Sequence, residues 1–220
     1  MEGMSVPSVD YAWHQRAFPG ETLSGDKAAA FPAVDGYWLV LADGLGHGPR
    51  AHIAASRAVS IVERVATTGA RLVDAPPGSP LTTSRVSLPA LFVSIHQSLQ
   101  ETVGAALGIA HITGETGIVH FAGVGNTLLR RIGSADTRMV SRDGIVGQPG
   151  QRAVVPKTVE LALAPGDLLL FTSDGVEDQF GPTEYPGILS QGPALVARTV
   201  VERFAKPHDD ATCLALRYLQ

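Results

Sequence analysis

Four acidic positions carry the chemistry open to this sequence. Asp43 closes the apolar run GYWLVLAD and Asp174 closes DLLLFTSD, while Asp209, followed by Asp210, stands directly before ATCLALRYL. Asp26, in the triplet SGD, precedes the hairpin that carries Asp43. Such almost wholly apolar runs read as strands in a sheet interior, and a carboxylate at the end of a buried strand needs a partner. Two carboxylates about 4 Å apart repel by about 4 kcal/mol at an effective dielectric of about 20, so a cluster of them calls for cations. Ligation by oxygen alone suits the hard ions magnesium and manganese, whereas zinc favours histidine and cysteine. The single cysteine, Cys213, sits within an apolar run and cannot supply a thiolate set. Any one of these aspartates alone reads equally as a solvated turn; their shared placement at strand ends is what points to a metal centre.

Asp-Gly occurs four times in the chain. The pair ordinarily makes a tight turn, because glycine adopts positive φ and aspartate bonds to its neighbouring backbone. Asp35-Gly36, between AFPAV and YWLVLA, reads as a hairpin turn and Asp143-Gly144, after TRMVS, as another, and asparagine would serve as well as aspartate in either. Asp43-Gly44 and Asp174-Gly175 differ through the apolar runs they close. The stretch after Asp43, GHGPRA from Gly46 to Ala51, also matches the G-x-G-x-x-G/A pattern of dinucleotide sites. Against that reading, the Asp43 charge would lie close to an incoming pyrophosphate, and the next helix leads into a Pro/Gly-rich loop instead of a strand bearing a ribose-binding acid. The glycines serve better to let the backbone turn sharply and expose a carbonyl, with Pro49 at the start of the helix.

The elements that must position these residues follow from periodicity. Ala54, Ala58, Ile61, Val62 and Val65 share one helical face; Leu88, Leu91, Phe92, Ile95, Leu99 and Val103 make a second; Val196, Val200 and Phe204 make a third. Most of the remainder reads as short strands: GYWLVLAD, ALGIAHIT, GIVHFAGV, NTLLRRI, TRMVS, KTVELAL, DLLLFTSD and TCLALRYL. Two helices in succession followed by a run of strands predict an α+β fold with antiparallel pairing. Residues 69–87, rich in Pro, Gly and Ser, read as a long connection, either a tolerated surface insertion or a substrate-contacting loop.

With 220 residues and 45% hydrophobic content, the chain suffices for one sizeable core, and we expect a single domain over residues 1–220. A net charge of −4 leaves no basic footprint for nucleic acid. The N-terminal MEGMSVPSVD lacks a signal-peptide pattern, and no stretch approaches the roughly 20 apolar residues of a membrane span. The expectation is a cytoplasmic protein with neither a membrane nor a nucleic-acid partner.

LADGLGHGPRA, FTSDGVED and HDDATCLAL, in this order and at these separations, resemble the metal-dependent protein serine/threonine phosphatases of the PPM (type 2C) family. The likeness is greatest to the SpoIIE-like bacterial branch and its short stressosome phosphatases of the RsbX type. It runs from SGD near residue 26 to DDAT near residue 210. It implies an αββα sandwich, two antiparallel β-sheets flanked by helices. It also implies two Mn2+ or Mg2+ ions, with Asp43 bridging them, the Gly44 carbonyl binding one, Asp174 and Asp209 completing the other, and Asp26 in the second ion's shell. Asp178 matches an acid that holds a further metal in some members. Asn126 stands where many members carry another metal-binding aspartate, so a third ion would be held weakly at most. Where larger members have a histidine directly after the Asp-Gly pair, this chain has Leu45, with His47 two positions on. Two readings of His47 stay open, a general acid for the leaving serine oxygen or a structural hydrogen-bonding group.

The implied reaction is direct attack on phosphorus by a metal-bridging hydroxide, with no Ser or Cys nucleophile. The implied substrate is a phosphorylated (Ser/Thr) STAS-domain regulatory protein, acted on by a constitutively active enzyme with no sensor segment before SGD. A catalytically silent binding module of the same fold is the alternative; such a relative would usually have lost one of Asp43, Asp174 or Asp209, and all three are present. A nucleotide-binding oxidoreductase is the more distant alternative.

Overall fold

A computed structural model describes residues 7–73, 85–114 and 116–219, so the greater part of the 69–87 connection lies outside the described residues. The strands are β1 (Val9–Arg16), β2 (Asp26–Ala33), β3 (Gly36–Gly44), β4 (Arg71–Leu72), β5 (Arg85–Val86), β6 (Ala105–Thr113), β7 (Ile118–Val124), β8 (Leu128–Ile132), β9 (Thr137–Val140), β10 (Val159–Ala162), β11 (Leu168–Thr172) and β12 (Ala211–Tyr218). Helices α1 (Gly48–Thr67), α2 (Leu88–Leu99) and α3 (Pro193–Phe204) coincide with the three predicted apolar faces, although α2 stops short of Val103. Two antiparallel five-stranded sheets form, with orders β1-β12-β11-β8-β9 and β10-β7-β6-β3-β2, while β4 and β5 make a short parallel pair at the ends of the long connection.

Strand alternation explains why the central runs are apolar throughout. In β3, Trp38, Val40 and Ala42 pack toward α1 and α2, whereas Leu39 and Leu41 pack into the space between the sheets. In β12, Leu214 and Leu216 face that same space while Cys213 and Ala215 face α3. Both faces of each central strand are thus buried, which gives the αββα sandwich and leaves only the strand ends for polar chemistry. Cys213 is a fully buried core residue, and burial pushes its thiol pKa up.

Sequence reading missed β1. Its half-buried alternation, with His14, Gln15 and Arg16 among its residues, belongs to an edge strand paired on one side only, to β12. Among the described residues, no helix is long and apolar enough to cross a membrane.

Candidate active site

The β2–β3 hairpin places Asp26 directly opposite Asp43 in register, so the two side chains leave the same face of one sheet as neighbours. In the other sheet, Asp174 lies two residues beyond β11 and Asp209 two residues before its partner β12, at the same end of that sheet. A bond between the sheets ties the two pairs together: the Ser173 hydroxyl donates to Asp26 Oδ2 at 2.6 Å and accepts from the Thr212 N–H at 3.0 Å.

The electrostatics record how close these acids stand. Burial, then the charges of Asp26, Asp174 and Asp209, push Asp43 from 3.8 up to about 9. Asp26 is raised to about 7, chiefly by burial, with Asp210 and Asp174 adding to the rise against the hydrogen bond from Ser173. Asp209 is raised by burial and by Asp174, with Lys206 opposing. Two carboxylate oxygens here, Asp26 Oδ1 and Asp210 Oδ2, are buried without a hydrogen-bond partner among the described residues. A cavity of 530 Å³ opens onto the group, lined by Asp43, Asp174, Asp209, Asn126, His47 and His208 among others.

The glycines next to the acids act through close packing. A Cβ on Gly44 would lie 2.0 Å from the Ala51 carbonyl oxygen, and one on Gly175 would lie 1.7 Å from that of Asp210. Gly44 therefore lets the first turn of α1 press against the end of β3, while the sharp turn is made by Gly46 and Gly48, with φ of +85° and +72°.

A family model described as Stage II sporulation protein E (SpoIIE) matches residues 33–219. The chain belongs to the SpoIIE family. Among solved structures, one described under the bacterial stressosome as a modular system is 23% identical, with a TM-score of 0.79 over 96% of this chain and 100% of that one. RsbX in complex with magnesium is 18% identical, with a TM-score of 0.70 over 96% of this chain and 95% of that one. The PP2C phosphatase domain of SpoIIE from Bacillus subtilis, solved with a fragment of its regulatory domain, is 19% identical, with a TM-score of 0.72; the match covers 98% of this chain and 65% of that one. Among curated proteins none matches significantly. The SpoIIE family is one of PP2C-type phosphoprotein phosphatases, and the two-sheet, three-helix architecture is theirs.

Within this SpoIIE-family fold, the sequence-predicted residues separate into two groups. Asp26, Asp43, Asp174 and Asp209 come together. Asp178 does not join them: its carboxylate pairs with Arg138 Nη1 at 2.9 Å and its carbonyl accepts from Arg138 Nη2 at 2.7 Å, in a neighbouring cavity of 530 Å³. Asn126 donates from its amide to Asp174 Oδ2, taking one oxygen of that carboxylate where an aspartate would repel it. Asp35-Gly36 is the expected hairpin turn, but its carboxylate also binds His111 and the Leu72 N–H. Asp143 sits in a bend outside the strands and lines the Asp43 cavity, which the turn reading did not foresee. Ser173 and Glu21 were missed as well, and Asp210 was named only as the neighbour of Asp209; nothing local in TSD or DDA says which hydroxyl or carboxylate faces the other sheet.

Among the described residues, no group of three or more His, Cys, Asp or Glu side chains is already arranged to hold a metal ion. The donor chemistry nevertheless fits one. Carboxylates pushed up by burial and then by one another's charge, with buried oxygens left unpaired, are stabilised in their ionised form by a hard divalent cation.

Proposed function

We propose that this SpoIIE-family chain removes phosphate from serine or threonine of a STAS-domain regulatory protein in the cytoplasm, with two Mg2+ or Mn2+ ions held by Asp43, Gly44, Asp174, Asp209 and Asp26. The observation that carries this reading is the convergence of four aspartates, two from each sheet, at one end of the sandwich, where Asp43 is raised to about 9. Divalent ions held by these residues would supply a hydroxide nucleophile near neutral pH and screen the phosphate's charge.

The chain's own residues do the rest. Ser173 is committed to Asp26 and Thr212, so its hydroxyl orients a carboxylate and is not free to attack phosphorus. Cys213 is buried beneath α3 and cannot reach substrate. With neither available as a nucleophile, attack by water without a phosphoenzyme is the route the site supports. Asn126 fixes the rotamer of Asp174, and the open cavity admits a phosphorylated side chain while leaving selectivity to the surrounding surface.

The stressosome and RsbX likenesses support a STAS-domain partner. Incubation of chelator-stripped protein with p-nitrophenyl phosphate, then with manganese, tests the metal chemistry. Turnover should vanish on stripping and return with manganese, and full activity of the stripped protein would remove the metal reading. A phosphorylated STAS protein beside an unrelated phosphoprotein tests the partner: the STAS protein should be cleared faster, and equal rates would leave only a general phosphatase.

A further inference from the structure

Between β1 and β2 the chain reads Phe18-Pro19-Gly20-Glu21. Proline suits the second place of a β-turn and glycine the third, where Gly20 takes φ of +92°. The Glu21 N–H donates to the Phe18 carbonyl at 2.9 Å and closes the turn. Both ends of that turn reach His47. The Phe18 ring stacks on the imidazole, with centroids 4.1 Å apart and planes 11° from parallel. Glu21 Oε1 lies 2.9 Å from His47 Nδ1.

Two further details tie this clamp to the metal-site residues. The Phe18 N–H donates to Asp210 Oδ1 at 2.8 Å, anchoring the turn beside Asp209. A Cβ on Gly48 would come within 2.8 Å of the Glu21 carboxylate, so glycine there makes room for it. His47 occupies the N-cap position of α1, yet its side chain makes no capping bond. The ring is held by one face and one edge. Its other nitrogen, Nε2, has no partner among the described residues, and the half-exposed ring stands in the wall of the Asp43 cavity.

The geometry points to Glu21 as the positioning residue that orients His47 to protonate the departing serine or threonine oxygen, an inference that rests on the phosphatase reading above. Glu21 accepts from Nδ1–H, which fixes the ring's orientation and turns Nε2 toward the cavity. As water oxygen bonds to phosphorus, the bond from phosphorus to the side-chain oxygen breaks. Its electron pair goes to that oxygen, which takes the proton from Nε2. The attacking water's proton passes to solvent, and solvent reprotonates His47. The products are the free hydroxyl and inorganic phosphate.

Leaving-group dependence separates this role from a structural one. A serine oxygen leaves poorly without a proton, whereas p-nitrophenolate needs none. With manganese present, kcat on a phosphoserine peptide should fall about 100-fold in His47→Gln and about 30-fold in Glu21→Gln, and both losses should shrink to about threefold on p-nitrophenyl phosphate. The double variant should lose no more than His47→Gln, because Glu21 acts only through the ring. In the metal-free protein, 15N NMR should show His47 as the Nδ1–H tautomer, a bias that Glu21→Ala removes. Equal losses on both substrates in an active wild type, or an Nε2–H tautomer in the wild type, would overturn the assignment. A wild type inactive on both substrates would instead overturn the phosphatase reading, with the tautomer still deciding whether the clamp exists.

Discussion

The same dipeptide leads into strand β3 and closes it, and the two ends behave in opposite ways. At Asp35-Gly36 the carboxylate meets donors: His111 Nε2 at 2.9 Å and the Leu72 N–H at 3.1 Å. Burial pushes Asp35 upward, but those bonds and the His111 charge together hold it below the ordinary carboxylate range. At Asp43-Gly44 the carboxylate meets other acids and is driven up to about 9. The His111 side chain is 1% exposed, so the first end is a buried brace between β3, β4 and β6. Each end lines a cavity, of 320 Å³ at Asp35 and 530 Å³ at Asp43, so the neighbouring groups and not the opening separate them. Identical local code therefore gives a structural tie where the neighbours are donors and a cluster of raised carboxylates, the proposed cation site, where they are acids.

The strongest way to break this contrast is Asp43→Asn, or Asp174→Asn beside it. Losing about 4 kcal/mol of charge stabilisation at the metal site corresponds to roughly a thousandfold loss of manganese-dependent turnover. The metal-free variants should melt at or above the wild-type temperature, since a mutual repulsion has been removed; near wild-type turnover would show that the ligand assignment is wrong.

Stability against pH sharpens the comparison next. Because Asp43 is raised in the folded state, the metal-free fold binds more protons than the unfolded chain between pH 3.8 and about 9. Its contribution to stability is fully present below 3.8 and is lost as pH rises through about 9. Asp35 has the opposite sign: its lowered pKa contributes stability above 3.8 that is lost as the pH falls. Urea titrations across pH should show Asp43→Asn gaining on the wild type as pH rises, and Asp35→Asn closing its deficit in acid. Parallel curves for the two variants would erase the distinction.

At neutral pH, Asp35→Asn should cost about 1–2 kcal/mol in urea unfolding, because a charge-assisted bond to a buried histidine becomes a neutral one. Turnover should hold, so the substitution is silent for chemistry and not for stability. The smallest effect belongs to Asp143→Asn, an exposed change on the cavity wall, which should alter kcat by no more than about twofold. A larger change would make Asp143 part of the site.

The sequence by itself determined most of the elements, the edge strand β1 excepted. Continuous apolar runs specify strands buried on both faces, three helical faces specify what covers them, and acids at the strand ends specify where polar chemistry can occur. These signals are local, because side-chain period and burial are properties of one segment at a time. The motifs LADGLGHG, SDG and DDAT were legible for the same reason, being contiguous. Only the tertiary structure decided which acids meet. Asp178 turns to Arg138, Asp143 joins the cavity wall, Ser173 bridges to Asp26, and Glu21 reaches His47 across 26 positions. Each of those outcomes depends on the register and stacking of two sheets, and a carboxylate's role depends on whether its spatial neighbours are donors or acids, which no single segment records.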